Sequence, residues 1–294
     1  MNMHIPECHG PVPQPSPPRR TLPKGSWDTH FHVLGPQARF PYSRARKYTP
    51  PDAPLEACLS LHGTLGIDRG LVVHANTHGF DNSVDLDAVA RSNGRYLAVV
   101  RLDASATRDS CRNLHAAGAR GVRFAFNPQH GGTLDLNVFE HVLRCIEGLD
   151  WFIDLHFDGA MLPDLRRWIE TIPAPVVIDH LGRIDPGHGL DQEPFRALAA
   201  IAQRGNTWIK ITGADRIVRG GYPYADVKPF VRRLLEVAAD RLLWGSDWPH
   251  TGYFNSAAVP DDGRLLDALA DFVESEALLH SILVANPLRL IRGA

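Results

Sequence analysis

The sequence predicts an α/β protein of the (β/α)8, or TIM-barrel, class. From Ser26 onward, short apolar runs alternate with longer amphipathic segments, the pattern of βαβ units and a parallel sheet. Eight such runs can be counted, which is the strand number of this barrel. A doubly wound open sheet also alternates, but it usually carries a Gly-rich phosphate loop after its first strand, and here that strand closes on His-Phe-His.

Each run is too short for a helix and is bounded by turn residues or polar segments. The first strand is predicted over 27–32 (WDTHFH), followed by a helix over 53–66. The second and third, 70–74 (GLVVH) and 97–101 (LAVVR), precede helices over 84–92 and 107–117. The fourth and fifth, 121–126 (GVRFAF) and 151–156 (WFIDLH), precede 135–147 and 161–171. The sixth, seventh and eighth, 175–180 (PVVIDH), 207–212 (TWIKIT) and 242–247 (LLWGSD), precede 193–203, 226–239 and 263–274. Ahead of them, seven prolines between Pro6 and Pro23 resist helix and strand alike and suit an extended arm. The division expected is therefore an arm over 1–25 and a barrel domain over 26–294.

Composition narrows the class of function. With 44% hydrophobic and 22% charged residues the chain has an ordinary globular make-up and enough apolar residues to bury a core. A formal net charge of −2 gives no general field that would draw it to nucleic acid or an anionic membrane. No GxGxxG or Walker-type loop supports nucleotide binding, and no repeat of fixed period occurs beyond the alternation itself. Cys8, Cys58, Cys111 and Cys145 show no CxxC spacing and are expected to be reduced thiols. There is no signal-peptide stretch and no run of about 18 apolar residues. The expectation is a cytoplasmic enzyme acting on a small molecule, as a monomer or homodimer.

The chemistry is expected where barrels place it, at the C-terminal ends of the strands. His30 and His32 close the first strand, and the two-residue period of a strand turns them to the same side. His156, His180 and Asp247 close the fifth, sixth and eighth, Arg123 lies on the fourth, and Arg216 follows the seventh. A single histidine of this kind is more often a hydrogen-bonded core residue than a functional one. Four histidines and an aspartate around one ring suit a divalent metal or a metal-free acid–base site.

The motifs DTHFH, IDHLGR and LLWGSDWPH resemble the amidohydrolase superfamily, and within it the 2-pyrone-4,6-dicarboxylate lactonase group. FPYSRARKYTPPDA, HGFDN, GVRF and ANPLRL carry the similarity from about Ser26 to Leu290. The resemblance implies a barrel of amidohydrolase type that opens a carboxylated lactone, such as 2-pyrone-4,6-dicarboxylate or a muconolactone, by adding water to its carbonyl. It places His30, His32, His180 and Asp247 in the catalytic core, Asp247 as the base and the histidines as polarising groups, without a metal. If a metal is present, the same four residues are its ligands, to one ion such as zinc or manganese.

The resemblance also puts Arg123 and Arg216 where substrate carboxylates are gripped, a task suited to the planar guanidinium fork. Tyr48, Asn76 and Thr77 are further donor candidates in the loops after the first two strands. The sequence departs from the pattern at two points. FNPQHGG offers His130 where the group has an arginine, and His156 replaces a tyrosine. Both positions are kept as substrate-binding candidates. The competing readings are a metal-dependent decarboxylase of the same superfamily and a catalytically inactive binding barrel.

Overall fold

A computed structural model describes residues 5–127, 132, 134–218 and 220–292. Eight parallel strands form one sheet in sequential order: β1 (Trp27–Phe31), β2 (Arg69–Val73), β3 (Tyr96–Val100), β4 (Ala119–Ala125), β5 (Phe152–His156), β6 (Val176–Ile178), β7 (Thr207–Ile211) and β8 (Leu242–Trp244). β8 returns to β1 and the barrel is closed by hydrogen bonds from Asp247 N to His30 O and from His32 N to Trp248 O, both 2.7 Å. Gly245 makes this closure possible, because a Cβ there would lie 2.5 Å from both Cβ and N of His30. The fold is the (β/α)8 barrel that the alternation predicts.

The helices that follow the strands are α1 (Leu55–Leu65), α2 (Ser83–Arg91), α3 (Arg108–Ala116), α4 (Leu136–Ile146), α5 (Leu162–Ile169), α6 (Glu193–Gln203), the short α7 (Ala214–Ile217), α8 (Lys228–Ala238) and α9 (Asp262–Val273). α10 (Glu276–His280) and α11 (Asn286–Arg292) follow. α4 shows why these segments are helices. Asp135 accepts hydrogen bonds from the backbone of Asn137 and Val138, which satisfies amides that the helix leaves open. Phe139, Val142 and Ile146 then fall on one buried face. Burial of Phe139 alone stabilises by about 1.5–3 kcal/mol. α3 starts on a reciprocal cap between Thr107 and Ser110.

Inside the barrel the period of two sorts the residues into layers. Trp27, Leu71, Val99, Phe152, Val177, Trp208 and Leu243 form an apolar plug. Two positions further along their strands, Phe152 gives way to Asp154 and Trp208 to Lys210, both fully buried. A charged layer therefore lies between the plug and the C-terminal face. No described helix is long and apolar enough to cross a membrane.

Residues 5–25 contain no helix and a single strand-like pairing, Glu7 with Thr49. Thr49 N donates to Pro6 O at 2.8 Å, Cys8 N to Thr49 O at 3.0 Å and His9 N to Tyr253 O at 2.7 Å. Further on, Ser16 N and Oγ donate to Asp261, and Arg19 pairs with Asp267 and Asp271. The arm thus runs from the loops above the barrel down the flank of α9.

Candidate active site

The site begins at the seam between β1 and β8. The pairing of β1 with β2 shifts between Asp28 and Phe31, which face Gly70 and Val72, so β1 carries one extra residue there. Such a bulge re-aims a side chain. Asp28 fixes the local backbone: Oδ1 accepts from His30 N and Ser246 N, and Oδ2 from Ser246 Oγ at 2.5 Å. His62 and Tyr96 continue this buried network.

His180 and Asp247 do not stand on their strands as the sequence reading placed them. β6 ends at Ile178 and β8 at Trp244, and both residues follow with positive φ, 51° and 63°. This left-handed backbone is uncommon outside glycine and clusters at functional sites. It turns the imidazole and the carboxylate inward. His30 and His32 point at the same carboxylate oxygen: Asp247 Oδ1 lies 3.5 Å from His30 Nε2 and 3.4 Å from His32 Nε2. The His30 ring lies 4.8 Å from that of His180, and the His156 ring lies 5.3 Å from that of His180.

A cavity opens above these groups, lined by His32, Tyr48, Ala75, Asn76, Arg123, His156, His180, Arg183, Arg216, Asp247 and Thr251. Most of the expected site residues meet here. His30 does not line it; its ring is fully buried beneath Asp247. Thr77 is buried outside the lining, and its carbonyl holds Ser43 N. His130 lies outside the described residues. Tyr48 donates from Oη to Thr251 Oγ1 at 2.8 Å.

The two expected arginines are already engaged. Arg123 donates to Asp179 Oδ2 from Nε and Nη2, at 3.2 and 2.9 Å, and to His74 O. Arg216 donates from Nε to Asp247 Oδ2 at 2.5 Å and from Nη1 to Thr251 O at 3.0 Å. Burial works to raise the Asp247 pKa, but Arg216, with His180 and His32 beside it, overrides burial and holds it well below the usual carboxylate range. Burial also pushes the His156 and His180 pKa values well below that of a free imidazole, helped by Arg123 at His156. Both rings are neutral at neutral pH.

Sequence reasoning missed Arg183 and the charged layer. Arg183 is the last residue of the IDHLGR motif, and its Nε donates to Asp158 at 3.4 Å. With Arg123 and Arg216 it puts three guanidinium groups around one cavity. Below them Lys210 pairs with Asp154 and, at 2.9 Å, with Asp179, all fully buried. The signal was present in TWIKIT and WFIDLH, where a charge interrupts an apolar strand.

Ligand atoms of His30, His180 and Asp247 lie within 4.8 Å of one another, as do those of His30, Asp154 and Asp179. The first set offers the nitrogen and oxygen donors that suit a single divalent ion. The second set is filled by the Lys210 ammonium, so a two-metal arrangement does not fit.

An inward ring of histidines and one aspartate at the C-terminal mouth of a (β/α)8 barrel defines a class, and the chain belongs to the amidohydrolase family, whose pattern it matches over residues 27–293. It is 51% identical over 287 residues to 4-sulfomuconolactone hydrolase of Rhizobium radiobacter, covering 97% of this chain and 96% of the relative. It is 36% identical over 285 residues to 2-pyrone-4,6-dicarboxylate hydrolase of Comamonas testosteroni, covering 94% and 93%. A solved structure of a probable 2-pyrone-4,6-dicarboxylic acid hydrolase of Acinetobacter baumannii, with citric acid bound, is 26% identical with a TM-score of 0.80, covering 91% of this chain and 99% of that one.

Proposed function

We propose that this protein hydrolyses a small lactone bearing a carboxylate or sulfonate group. The observation that carries the reading is the cavity itself, in which one ionised carboxylate faces neutral imidazoles and three arginines. The arginines suit an anionic ligand, because a buried anion is costly unless paired. The named relatives support the substrate class, since a sulfomuconolactone and a pyrone dicarboxylate are both anionic lactones. The decarboxylase reading is not favoured, as these relatives are named for hydrolysis.

In the proposed mechanism Asp247 takes a proton from a water molecule while the water oxygen attacks the lactone carbonyl carbon. Negative charge develops on the carbonyl oxygen and is met by a hydrogen-bond donor on His180 at the cavity wall. The ring C–O bond then breaks, and the leaving oxygen, an enolate or alkoxide, takes the proton that Asp247 received. Arg216, Arg123 and Arg183 hold the substrate's remaining anionic group. A panel of sulfonated, carboxylated and neutral lactones, followed by acid release, tests this reading. Hydrolysis of none of the anionic members would refute it.

Catalysis is proposed to need no metal, because one oxygen of Asp247 is already committed to Arg216 and the lower donor set to Lys210. A specific observation favours the second reading, one divalent ion. His32 Nδ1 lies 2.7 Å from Val73 O and donates to it, which in the neutral ring leaves the Nε2 lone pair facing the site. His30, His32, His180 and Asp247 would then hold the ion, which supplies a polarised carbonyl and an acidified water. Full activity after exhaustive chelation, with metal absent by elemental analysis, supports the first reading. Loss on chelation with recovery at about one equivalent of zinc or manganese establishes the second.

A further inference from the structure

We infer that Lys210 is a positioning residue that fixes His30 in its Nε2–H form, turning that N–H toward Asp247 and closing the ring to a metal. The catalytic consequence rests on the lactonase reading; the assignment of the proton does not. Lys210 reaches the site from an inward position of β7. Its Nζ contacts three groups, the Asp154 carboxylate, Asp179 Oδ1 at 2.9 Å and His30 Nδ1 at 3.0 Å. All four side chains are completely buried.

An ammonium group has three N–H donors and no lone pair. Asp154 and Asp179 accept two of them, and His30 Nδ1 is the remaining partner. It can serve only as an acceptor, which requires a lone pair on Nδ1. The alternative places the ring proton on Nδ1, donated to Asp179 Oδ1 at 3.0 Å. That proton would face an ammonium hydrogen across 3.0 Å and leave it without an acceptor in a fully buried layer, where an unmade hydrogen bond costs its full desolvation. Asp179 is in any case supplied, by Lys210 on Oδ1 and twice by Arg123 on Oδ2.

With Nδ1 accepting, the neutral ring carries its proton on Nε2. This atom has no hydrogen-bond partner among the described residues and lies 3.5 Å from Asp247 Oδ1. The order of contacts is therefore Lys210 to His30 to Asp247. A protonated Nε2 has no lone pair for a metal, and the Nδ1 side is taken by Lys210. Both candidate metal sets share His30, so one lysine removes their common ligand.

The test is the proton position, read by long-range 1H–15N correlation on 15N-histidine-labelled full-length protein at neutral pH, with His30 assigned by its loss in His30→Gln. The expected result is a proton on Nε2 and a bare Nδ1, unchanged when zinc is added. A proton on Nδ1, or a His30 shift that moves on binding zinc, would overturn the inference. This reading uses wild-type protein and so survives a Lys210→Met variant that does not fold. Where Lys210→Met folds, its His30 proton moves to Nδ1 and kcat falls about tenfold or more with KM little changed, as for loss of an orienting partner. An unmoved proton in that variant would also overturn it. Wild-type protein with the Nε2–H form that opens no lactone leaves this inference standing and refutes the functional proposal instead.

Discussion

Asp247→Asn separates the proposed base from its structural surroundings. The side chains are close to isosteric, but an amide does not accept the proton of an attacking water. Loss of a positioned general base lowers the rate by roughly 10²–10⁴-fold, or about 3–5 kcal/mol of transition-state stabilisation. The backbone tolerates the change, because Asp247 has a φ of 63° and asparagine is among the few residues that adopt this region readily. Alanine there would add strain of about 1–2 kcal/mol and confuse the result. The cost in stability comes from Arg216, which is only 16% exposed and loses its ion pair. Breaking a buried pair costs about 3–5 kcal/mol, but the amide oxygen still accepts from Nε and Thr251 O still holds Nη1. We therefore expect a loss of about 1–2 kcal/mol and a Tm lower by roughly 3–6 °C. The assays are lactone turnover and thermal unfolding on the same preparation. A kcat within tenfold of the parent would mean that another group is the base. A variant unfolded at 25 °C would mean that the carboxylate is chiefly structural.

Arg216→Met is expected to weaken KM for anionic lactones far more than for neutral ones, measured side by side; equal losses would show that Arg216 does not read the anion. The pH profile of kcat/KM should stay flat from about pH 8 to pH 5, since Asp247 remains ionised and His156 and His180 remain neutral across that range. A limb near pH 7 would instead report a metal-bound water. Stability should behave differently over the same window. His30, lowered to about 3 chiefly by burial, and His156 and His180 have folded pKa values below their unfolded ones. Their contribution is present above about pH 6.5 and lost as pH falls, by up to about 1.4 kcal/mol per pH unit for each, which chemical denaturation at pH 7 and 5 will read. The four cysteines are free and buried, so thiol titration without reductant should find four only after denaturation.

Much of the barrel was legible because its strands are short and apolar and its helices amphipathic. The helix expected over 193–203 coincides with α6, and 151–156 differs from β5 by one residue. The misses have a common cause. The predicted strands over 175–180 and 242–247 are too long, because His180 and Asp247 leave the sheet through left-handed backbone that apolar periodicity does not register. His32, Arg123, His156, His180 and Asp247 were legible as polar residues at strand ends, whereas Arg183 and Thr251, which also line the cavity, were not. Lys210, Asp154 and Asp179 were visible only as charges inside apolar runs, and their role as one layer depends on partners on other strands that the sequence does not pair. His30 belongs to both groups: the HxH spacing marked it, but not its place below the cavity.

The arm adds a consequence for how the molecule is made. Ser16 is separated by 245 residues from Asp261, and Arg19 by 248 from Asp267. On a ribosome adding about 5–20 residues per second, the arm waits roughly 12–50 seconds for these partners to be synthesised. A somewhat shorter delay applies to the barrel seam, where Asp247 N bonds His30 O. The proline-rich composition suits that interval, since an extended segment with few apolar side chains offers little to misfolding or self-association while it waits. Closure of the site thus has to follow synthesis of Asp247, and the arm, made before it, becomes a fastening applied once α9 has been made.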